Sequence, residues 1–313
     1  MRQPPRFPLA LLPTPLVPAP RLGEALGREI WIKRDDLTGF ALGGNKVRTL
    51  EVLVADALDQ GCDHMVGSGG PGSNLGPALA AAAGTARLGC TIVLFGSEPR
   101  AVHPNLAMMR AFGARVVFTG DPDRAATSRY AEAEAERLRA RGCRPYVVPR
   151  GAASGLGATG YTRAAGELAA QLTITPAHVV VAAGSGGTAA GLLAGWSAFD
   201  LPGALVAVAV SRPVDETAGE IGRLSAEAAA LLGSPEPALS RLRVIDGLGR
   251  GFALADPAIC EAAQLALCAE GLLADLTYVA RAVAALAALD GPVVLWHTGG
   301  WPGVVGEAMG VPH

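Results

Sequence analysis

Lysine is nearly missing from this sequence. Of its 26 basic residues, only Lys33 and Lys46 are lysine, and every other one is arginine. As surface cations the two are largely interchangeable. Arg, however, cannot shed its proton at working pH, whereas Lys can become a neutral amine, act as a base or form a Schiff base. A lysine kept in such a chain is a candidate for amine chemistry, against the plain alternative that it survives by chance.

Charge is scarce as well. Charged residues make up 17% of the chain and the net charge is −2, which leaves no basic field for nucleic acid or an anionic membrane. Cys62, Cys90, Cys143, Cys260 and Cys268 are scattered. No Cys-x-x-Cys pair and no Cys/His spacing suits zinc, so no metal site is expected. The odd cysteine count points to a reducing compartment, and a cytoplasmic location is expected. The opening "MRQPPRFPLALLPTPLVPAP" is broken by proline too often to hold a signal-peptide core. One uncharged stretch, 179–199, is long enough to consider as a membrane span. Its centre, "AAGSGGTAAG", is only weakly apolar, so a buried strand, a loop and a helix start are expected there instead.

What the chain has is Ala, Gly, Leu and Val, with 50% apolar residues but only 5% aromatic. That composition suits Val-rich strands layered with Ala/Leu-rich helices. Strand–loop–helix units recur through "DHMVGSGG", "CTIVLFG", "ARVVFTG", "RPYVVP", "AHVVVAAGSGG", "ALVAVAVS" and "GPVVLWHTGG". Such alternation predicts parallel sheets with helices on both faces. A boundary is expected near 151–160, where Gly and Ala crowd together. The proline-rich opening reads as an extended arm. In "REIWIKRDD", Trp31 and Lys33 fall on the side opposite Ile30 and Ile32, and the adjacent Asp35 and Asp36 read as structural carboxylates pointing apart.

"NKVRTLEVLVADALDQG" has helical spacing and closes at Gly61. Lys46 therefore falls in a first helical turn, directly after Gly43-Gly44, where the helix dipole favours a neutral amine over an ammonium. A second signal is "VVVAAGSGGTAAGL". A valine run ends in Gly184-Ser185-Gly186-Gly187-Thr188 and a helix follows, a cradle of backbone N–H groups suited to a phosphate. The plain alternative is a tight turn that binds nothing. The run lacks the Lys-Ser/Thr ending of an NTPase loop. It partly matches a dinucleotide fingerprint, but no acid ends the following strand, which counts against a nicotinamide-dependent oxidoreductase.

A lysine able to lose its proton, together with a lone phosphate cup in an α/β chain, suggests pyridoxal phosphate. "WIKRDDLTGFALGGNKVRTLE" resembles the Schiff-base lysine segment of fold-type II pyridoxal-phosphate enzymes, and within them the family of 1-aminocyclopropane-1-carboxylate (ACC) deaminase and D-cysteine desulfhydrase. "PTPLVPAPRLGEALG", "PGSNLGPALAAAAGTARLG", "RGAASGLGATGYTRAAGEL", the glycine loop and "LWHTGGWPGV" match in the same order, over nearly the whole chain.

The resemblance implies two parallel-sheet α/β domains of the tryptophan synthase β-like architecture, with the cofactor in the cleft between them. The expected division is a large domain of 1–49 and 161–313 and a small one of 50–160. Lys46 would carry the cofactor and later take the α-proton. Gly184, Ser185, Gly186, Gly187 and Thr188 would hold its phosphate. Asn74 would lie against the ring, Thr298 would face the pyridine nitrogen and Ser73 would touch the substrate carboxylate. Tyr278 stands where the family keeps a catalytic tyrosine. Taken one at a time, Ser73 and Asn74 would read as helix caps and Thr298 as a strand-end hydroxyl.

Four positions depart from the family pattern and would shape the substrate pocket. Gly72 and Leu75 replace a Gln and a His, Phe252 replaces a Tyr, and Trp301 fills a turn where a smaller residue is expected. The implied activity is a lyase acting on a small amino acid by α-proton removal and β-elimination, giving a 2-oxo acid and ammonia. β-Replacement and ACC ring opening are alternatives of the same chemistry, and a non-catalytic ligand sensor is an alternative of another class. The resemblance also implies a homodimer.

Overall fold

The computed structural model describes residues 2–310. Its ten strands are β1 (Leu16–Pro18), β2 (Ile30–Arg34), β3 (His64–Gly69), β4 (Gly89–Leu94), β5 (Arg115–Phe118), β6 (Pro145–Val147), β7 (His178–Ala183), β8 (Ala204–Ala209), β9 (Leu242–Asp246) and β10 (Val293–His297). They form two sheets. The larger runs β1-β2-β10-β7-β8-β9 and the smaller β5-β4-β3-β6. Every pairing is parallel except β1 with β2.

Strand alternation sets the layers. In the larger sheet Ile30, Ile32, Val180, Val206, Val208 and Leu295 face one apolar layer. Trp31, Val179, Val181, Leu205, Ala207 and Trp296 face the other. The smaller sheet turns Met65, Ile92 and Leu94 toward one layer and Val66 and Val93 toward a second. Both sheets are thus covered on both faces, which is why their strands read as near-continuous apolar runs. Each fully buried Val or Leu contributes about 1.5–3 kcal/mol of transfer free energy.

The stretch 179–199 divides into β7, the glycine loop and the helix Gly187–Ala198. No helix among the described residues is long and apolar enough to cross a membrane. The opening arm contributes β1, and β9, which no periodicity announced, completes the far edge of the larger sheet.

The two units meet through the helices Lys46–Asp59 and Gly155–Gln171. A Cβ on Gly160 would stand 2.4 Å from the Arg48 carbonyl oxygen, so the two backbones touch. Beneath this contact lies a buried polar knot. Asp35 accepts from the Arg48 guanidinium at 2.8 and 3.0 Å, the Tyr161 hydroxyl at 2.6 Å, the Trp296 indole at 2.9 Å and the Thr14 hydroxyl at 2.8 Å. Arg48 holds the Asp35 carboxyl below its ordinary range despite complete burial. Asp36 turns the other way and pairs with Arg34 at 2.6 Å.

Candidate active site

The carboxyl ends of β3, β7, β8 and β10 open onto one cavity of about 1150 Å³, its mouth included. Loops beyond strand ends are where parallel sheets place ligands.

Lys46 is the first residue of its helix. The approach is set by Gly43 and Gly44, at φ +68° and +91°. A Cβ on Gly44 would come within 2.9 Å of the Thr298 carbonyl oxygen, and the Asn45 N–H donates to that same oxygen at 2.9 Å. The Asn45 side-chain amide donates to the Thr188 hydroxyl at 3.0 Å. Two neighbours in sequence therefore lock the lysine to β10 on one side and to the glycine loop on the other. The amine itself donates to the Gly151 carbonyl at 2.9 Å, and burial without a counter-charge pushes its pKa down to about 8.

Lys33 is the contrast. It is fully buried, ion-paired with Glu167, and donates to Gln171 Oε1 and the Thr14 carbonyl, each at 2.6 Å. Burial lowers its pKa too, but its donors are spent on the polar knot and it does not line the cavity.

Gly184 to Thr188 join β7 to the helix Gly187–Ala198. Gly186 sits at φ +89°, and a Cβ on Gly184 would stand 3.0 Å from the Tyr278 ring. The Ser211 hydroxyl donates to the Gly184 carbonyl at 3.0 Å, fixing the loop from β8.

On the smaller unit, Gly72, Ser73, Asn74 and Leu75 follow β3 and open the helix Leu75–Thr85. Asn105 organises them by donating to the Gly72 carbonyl at 2.7 Å and to Asn74 Oδ1 at 2.9 Å. Asn74 makes no side-chain cap of its helix, so the capping alternative fails for it. The Ser73 hydroxyl accepts only a long 3.3 Å contact from the Leu75 N–H.

Thr298 follows β10 and is nearly buried. Its carbonyl is taken by Asn45, while its hydroxyl has no hydrogen bond among the described residues. The Tyr278 hydroxyl is pushed up to about 12 by burial and by the Asp275 charge, so it stays a neutral phenol. Its ring meets Phe252 edge-on at 6.4 Å.

Every residue expected at the site lines this cavity except Trp301. The structure turns Trp301 outward: its indole donates to the Leu42 carbonyl at 2.9 Å and the residue is 38% exposed. It braces the glycine approach to Lys46 instead of shaping the pocket. His297, beside Thr298, is buried, with Nδ1 accepting from the Gly299 N–H at 3.2 Å and burial lowering its pKa; it does not line the cavity. Sequence reasoning missed Asn45 and three arginines, Arg124, Arg150 and Arg212, which also line it. Asn45 had a signal in its place beside Lys46. Arg124 had none, lying in a loop of unremarkable composition; Arg150 opens the quoted "RGAASGLGATGYTRAAGEL" stretch and Arg212 follows the β8 run, but no spacing there marked either as a site residue.

A phosphorylated aldehyde suits these residues on three counts. The amine carries no paired carboxylate, the loop offers backbone N–H groups at a helix start, and the Thr298 hydroxyl is uncommitted.

The comparisons with known proteins agree with that chemistry. A family model described as pyridoxal-phosphate dependent enzyme matches residues 8–299. The D-cysteine desulfhydrase of Salmonella newport (strain SL254) is 37% identical over 316 residues, covering 95% of this chain and 94% of that enzyme. A solved ACC deaminase homologue superimposes with a TM-score of 0.91 at 34% identity, over 96% of this chain and 93% of its own. The L-serine ammonia-lyase of Rhizomucor miehei shares the fold at a TM-score of 0.67 and 18% identity, over 93% and 94% of the two chains.

Proposed function

The chain belongs to the pyridoxal-phosphate-dependent enzymes, and from that premise we propose that it is a lyase removing the β-substituent of a small amino acid, as a D-cysteine desulfhydrase does. When bound, pyridoxal phosphate supplies an electron sink for the pair left at the α-carbon. The chain's own residues do the rest.

Lys46 takes the α-proton. An amine with a pKa of about 8 is matched to accepting and returning a proton near neutral pH. The observation that carries the reading is geometric: the Lys46 amine opens onto the same cavity as the glycine loop and Thr298, held there by Asn45, and it has no carboxylate partner among the described residues. Ser73 and the helix start behind it receive the substrate carboxylate, where the N–H groups of the first turn favour an anion. The glycine loop would hold the phosphate and Asn74 would flank the ring. Thr298 would offer the ring nitrogen a neutral hydroxyl, which would polarise a ring less than a carboxylate does and would suit a reaction in which the leaving group departs at once. Tyr278, neutral at working pH, orients the departing group or hands it a proton.

In the overall change the Cα–H and Cβ–X bonds break and X leaves with its bonding pair. The three-carbon enamine released then takes up one water, giving a 2-oxo acid and ammonium. Leu75 and Phe252 line the cavity where the family resemblance leads one to expect a His and a Tyr. The missing phenol takes a proton donor away from the ACC ring-opening alternative.

Residues 50–160 are read as a small domain that closes on 1–49 and 161–313 around substrate, which would exclude water from the cavity. A homodimer goes with the family resemblance. A cytoplasmic location goes with five free cysteines.

The test offers D- and L-cysteine and ACC to the purified holoenzyme and follows sulfide, ammonium and 2-oxo acid. The expected result is all three products in equal amounts from one cysteine enantiomer, and none with Lys46→Ala. Ammonium from ACC without turnover of either cysteine would replace elimination by ring opening. Products formed only when a second nucleophile is supplied would replace it by β-replacement.

A further inference from the structure

The lining of the cavity contains no Asp or Glu, yet it contains Lys46, Arg124, Arg150 and Arg212. None of the three arginines has a salt bridge to a carboxylate among the described residues. Half-buried guanidinium groups without a counter-ion are costly to the fold, and a ligand anion is what would balance them. A phosphate monoester brings between one and two negative charges, so the cofactor's phosphate leaves at least one of the three guanidiniums for an anionic group of the substrate, beyond the carboxylate read at Ser73.

The three divide by position. Arg212 follows Ser211, whose hydroxyl is bonded to Gly184, so it belongs to the phosphate end. Arg124 stands elsewhere. Its guanidinium lies 3.7 Å above the Phe252 ring, Phe252 meets Tyr278 edge-on, and Tyr278 touches the glycine loop. Two aromatic rings thus separate Arg124 from the phosphate cup. Arg150 reaches Arg124, its guanidinium 3.4 Å from the Arg124 carbonyl, while the next residue, Gly151, accepts the Lys46 amine. Gly151 also accepts from the Ser185 hydroxyl of the glycine loop at 3.5 Å, so the pair Arg124–Arg150 runs from the aromatic wall, through Arg124, to the edge of the phosphate cup, beside Arg150. Burial, with repulsion from Arg150 added, lowers the pKa of Arg124, and burial with repulsion from Arg212 lowers that of Arg150. The acid whose field reaches Arg150 is Asp123, on the loop outside the cavity lining, with its carboxylate accepting from the Ala125 N–H at 2.8 Å.

We infer that Arg124 and Arg150 form a receptor for a second anion, so that the preferred substrate is an amino acid whose β-substituent is itself negatively charged, a phosphate ester or a sulfonate. For its reaction the inference rests on the lyase reading above; for binding it stands alone. With a sulfonate, the Cβ–S bond breaks and its electron pair departs with sulfite. With a phosphate ester, the Cβ–O bond breaks and the pair departs with inorganic phosphate. The two guanidiniums hold the growing negative charge in either case.

The test compares holoenzyme with Arg124→Met, Arg150→Met and the double variant. Both enantiomers of O-phosphoserine, of cysteine sulfonate and of the neutral β-chloroalanine are the substrates, and the release of phosphate, sulfite or chloride is the readout. The expected result is a wild-type preference in kcat/KM for one of the two anionic substrates, which also tells phosphate ester from sulfonate. In the double variant that preference falls about 100-fold, as the loss of charge-assisted hydrogen bonds implies. Equilibrium dialysis of the same anionic amino acids, with alanine as reference, reads binding without turnover. Cofactor affinity is measured for each variant by absorbance titration.

If no substrate is turned over but dialysis still shows tight anion binding that the double variant loses, the receptor stands and the lyase reading falls. Wild-type protein that binds the anionic amino acids no better than alanine would overturn the receptor. So would a double variant whose main loss is cofactor affinity, because the arginines would then serve the cofactor's phosphate.

Discussion

With only two lysines in the chain, amine reactivity can be read residue by residue. An amine of pKa about 8 is neutral in roughly one molecule in ten at pH 7, against about one in three thousand at the ordinary 10.5. The ratio, about 300-fold or ~3 kcal/mol, is the reactivity that burial confers on Lys46. Trace acetylation of cofactor-stripped protein from pH 6 to 11, with the two lysine peptides counted by mass spectrometry, measures it directly. The Lys46 labelling rate is expected to rise up to pH 8 and then level. Lys33, enclosed by Glu167, Gln171 and Thr14, is expected to stay unlabelled until the protein unfolds. An inflection near pH 10.5, or Lys33 labelled as fast as Lys46, would refute the assignment of the functional amine. The same burial has a thermodynamic side. A lysine whose folded pKa lies below its unfolded one leaves the folded state with fewer bound protons between pH 8 and 10.5, so stability rises across that window. Below pH 8 the penalty is constant, and Lys46→Met should stabilise the protein at pH 7 by up to ~3 kcal/mol while abolishing activity.

Other expectations concern the frame around the site. Asp35→Asn removes one of the two carboxylates paired with buried Arg48, leaving Glu167 at 3.0 Å, and should cost about 3 kcal/mol in urea unfolding, the lower end for breaking a buried pair. Gly160→Ala drives a methyl group against the Arg48 carbonyl and should cost about 1–3 kcal/mol by overpacking, with weaker cofactor retention because Arg48 shares a helix with Lys46. Asp275 is pushed up to about 7 by burial, with the nearby Glu307 charge adding to the effect. Its folded pKa exceeds its unfolded one, so its stabilising contribution is complete below pH 4 and is lost as pH rises through 7. Thermal melts of wild type should therefore fall between pH 4 and 7 more steeply than those of Asp275→Asn; parallel pH profiles would show that Asp275 does not titrate in that range.

Much of this was written locally in the chain. The period-two alternation of Ile30, Trp31 and Ile32 did place them on opposite layers, because a strand buried on both faces has no other way to dispose of its side chains. Lys46 and the glycine loop were legible for the same reason: each is a local device, an amine at a helix start and N–H groups at a strand end. The strand β9 was not, since "LRVID" is short and sits at a sheet edge where one flank needs no partner. Trp301 was misjudged because a turn residue points wherever its neighbours leave room, and the Leu42 carbonyl gave the indole a partner outside the pocket. The side-chain partners of Lys33, Glu167 and Gln171, lie 134 and 138 residues away, so no window of sequence could show that it is structural.

The arginines are the instructive omission, and they return to the scarcity of lysine. Arg124 and Arg150 follow β5 and β6, whose ends adjoin only once the smaller sheet has formed, with β6 beside β3 and β5 beyond β4. Had these positions been lysine, burial and mutual repulsion would have shifted their protonation toward neutrality, as burial shifts Lys46. Guanidiniums keep their charge under the same strain. A cavity built from three arginines and one lysine separates two tasks that a cluster of four lysines would blur. Three groups supply a fixed positive field at every working pH. The fourth, held near pH 8 and bonded only to a backbone carbonyl, is the one amine free to exchange a proton.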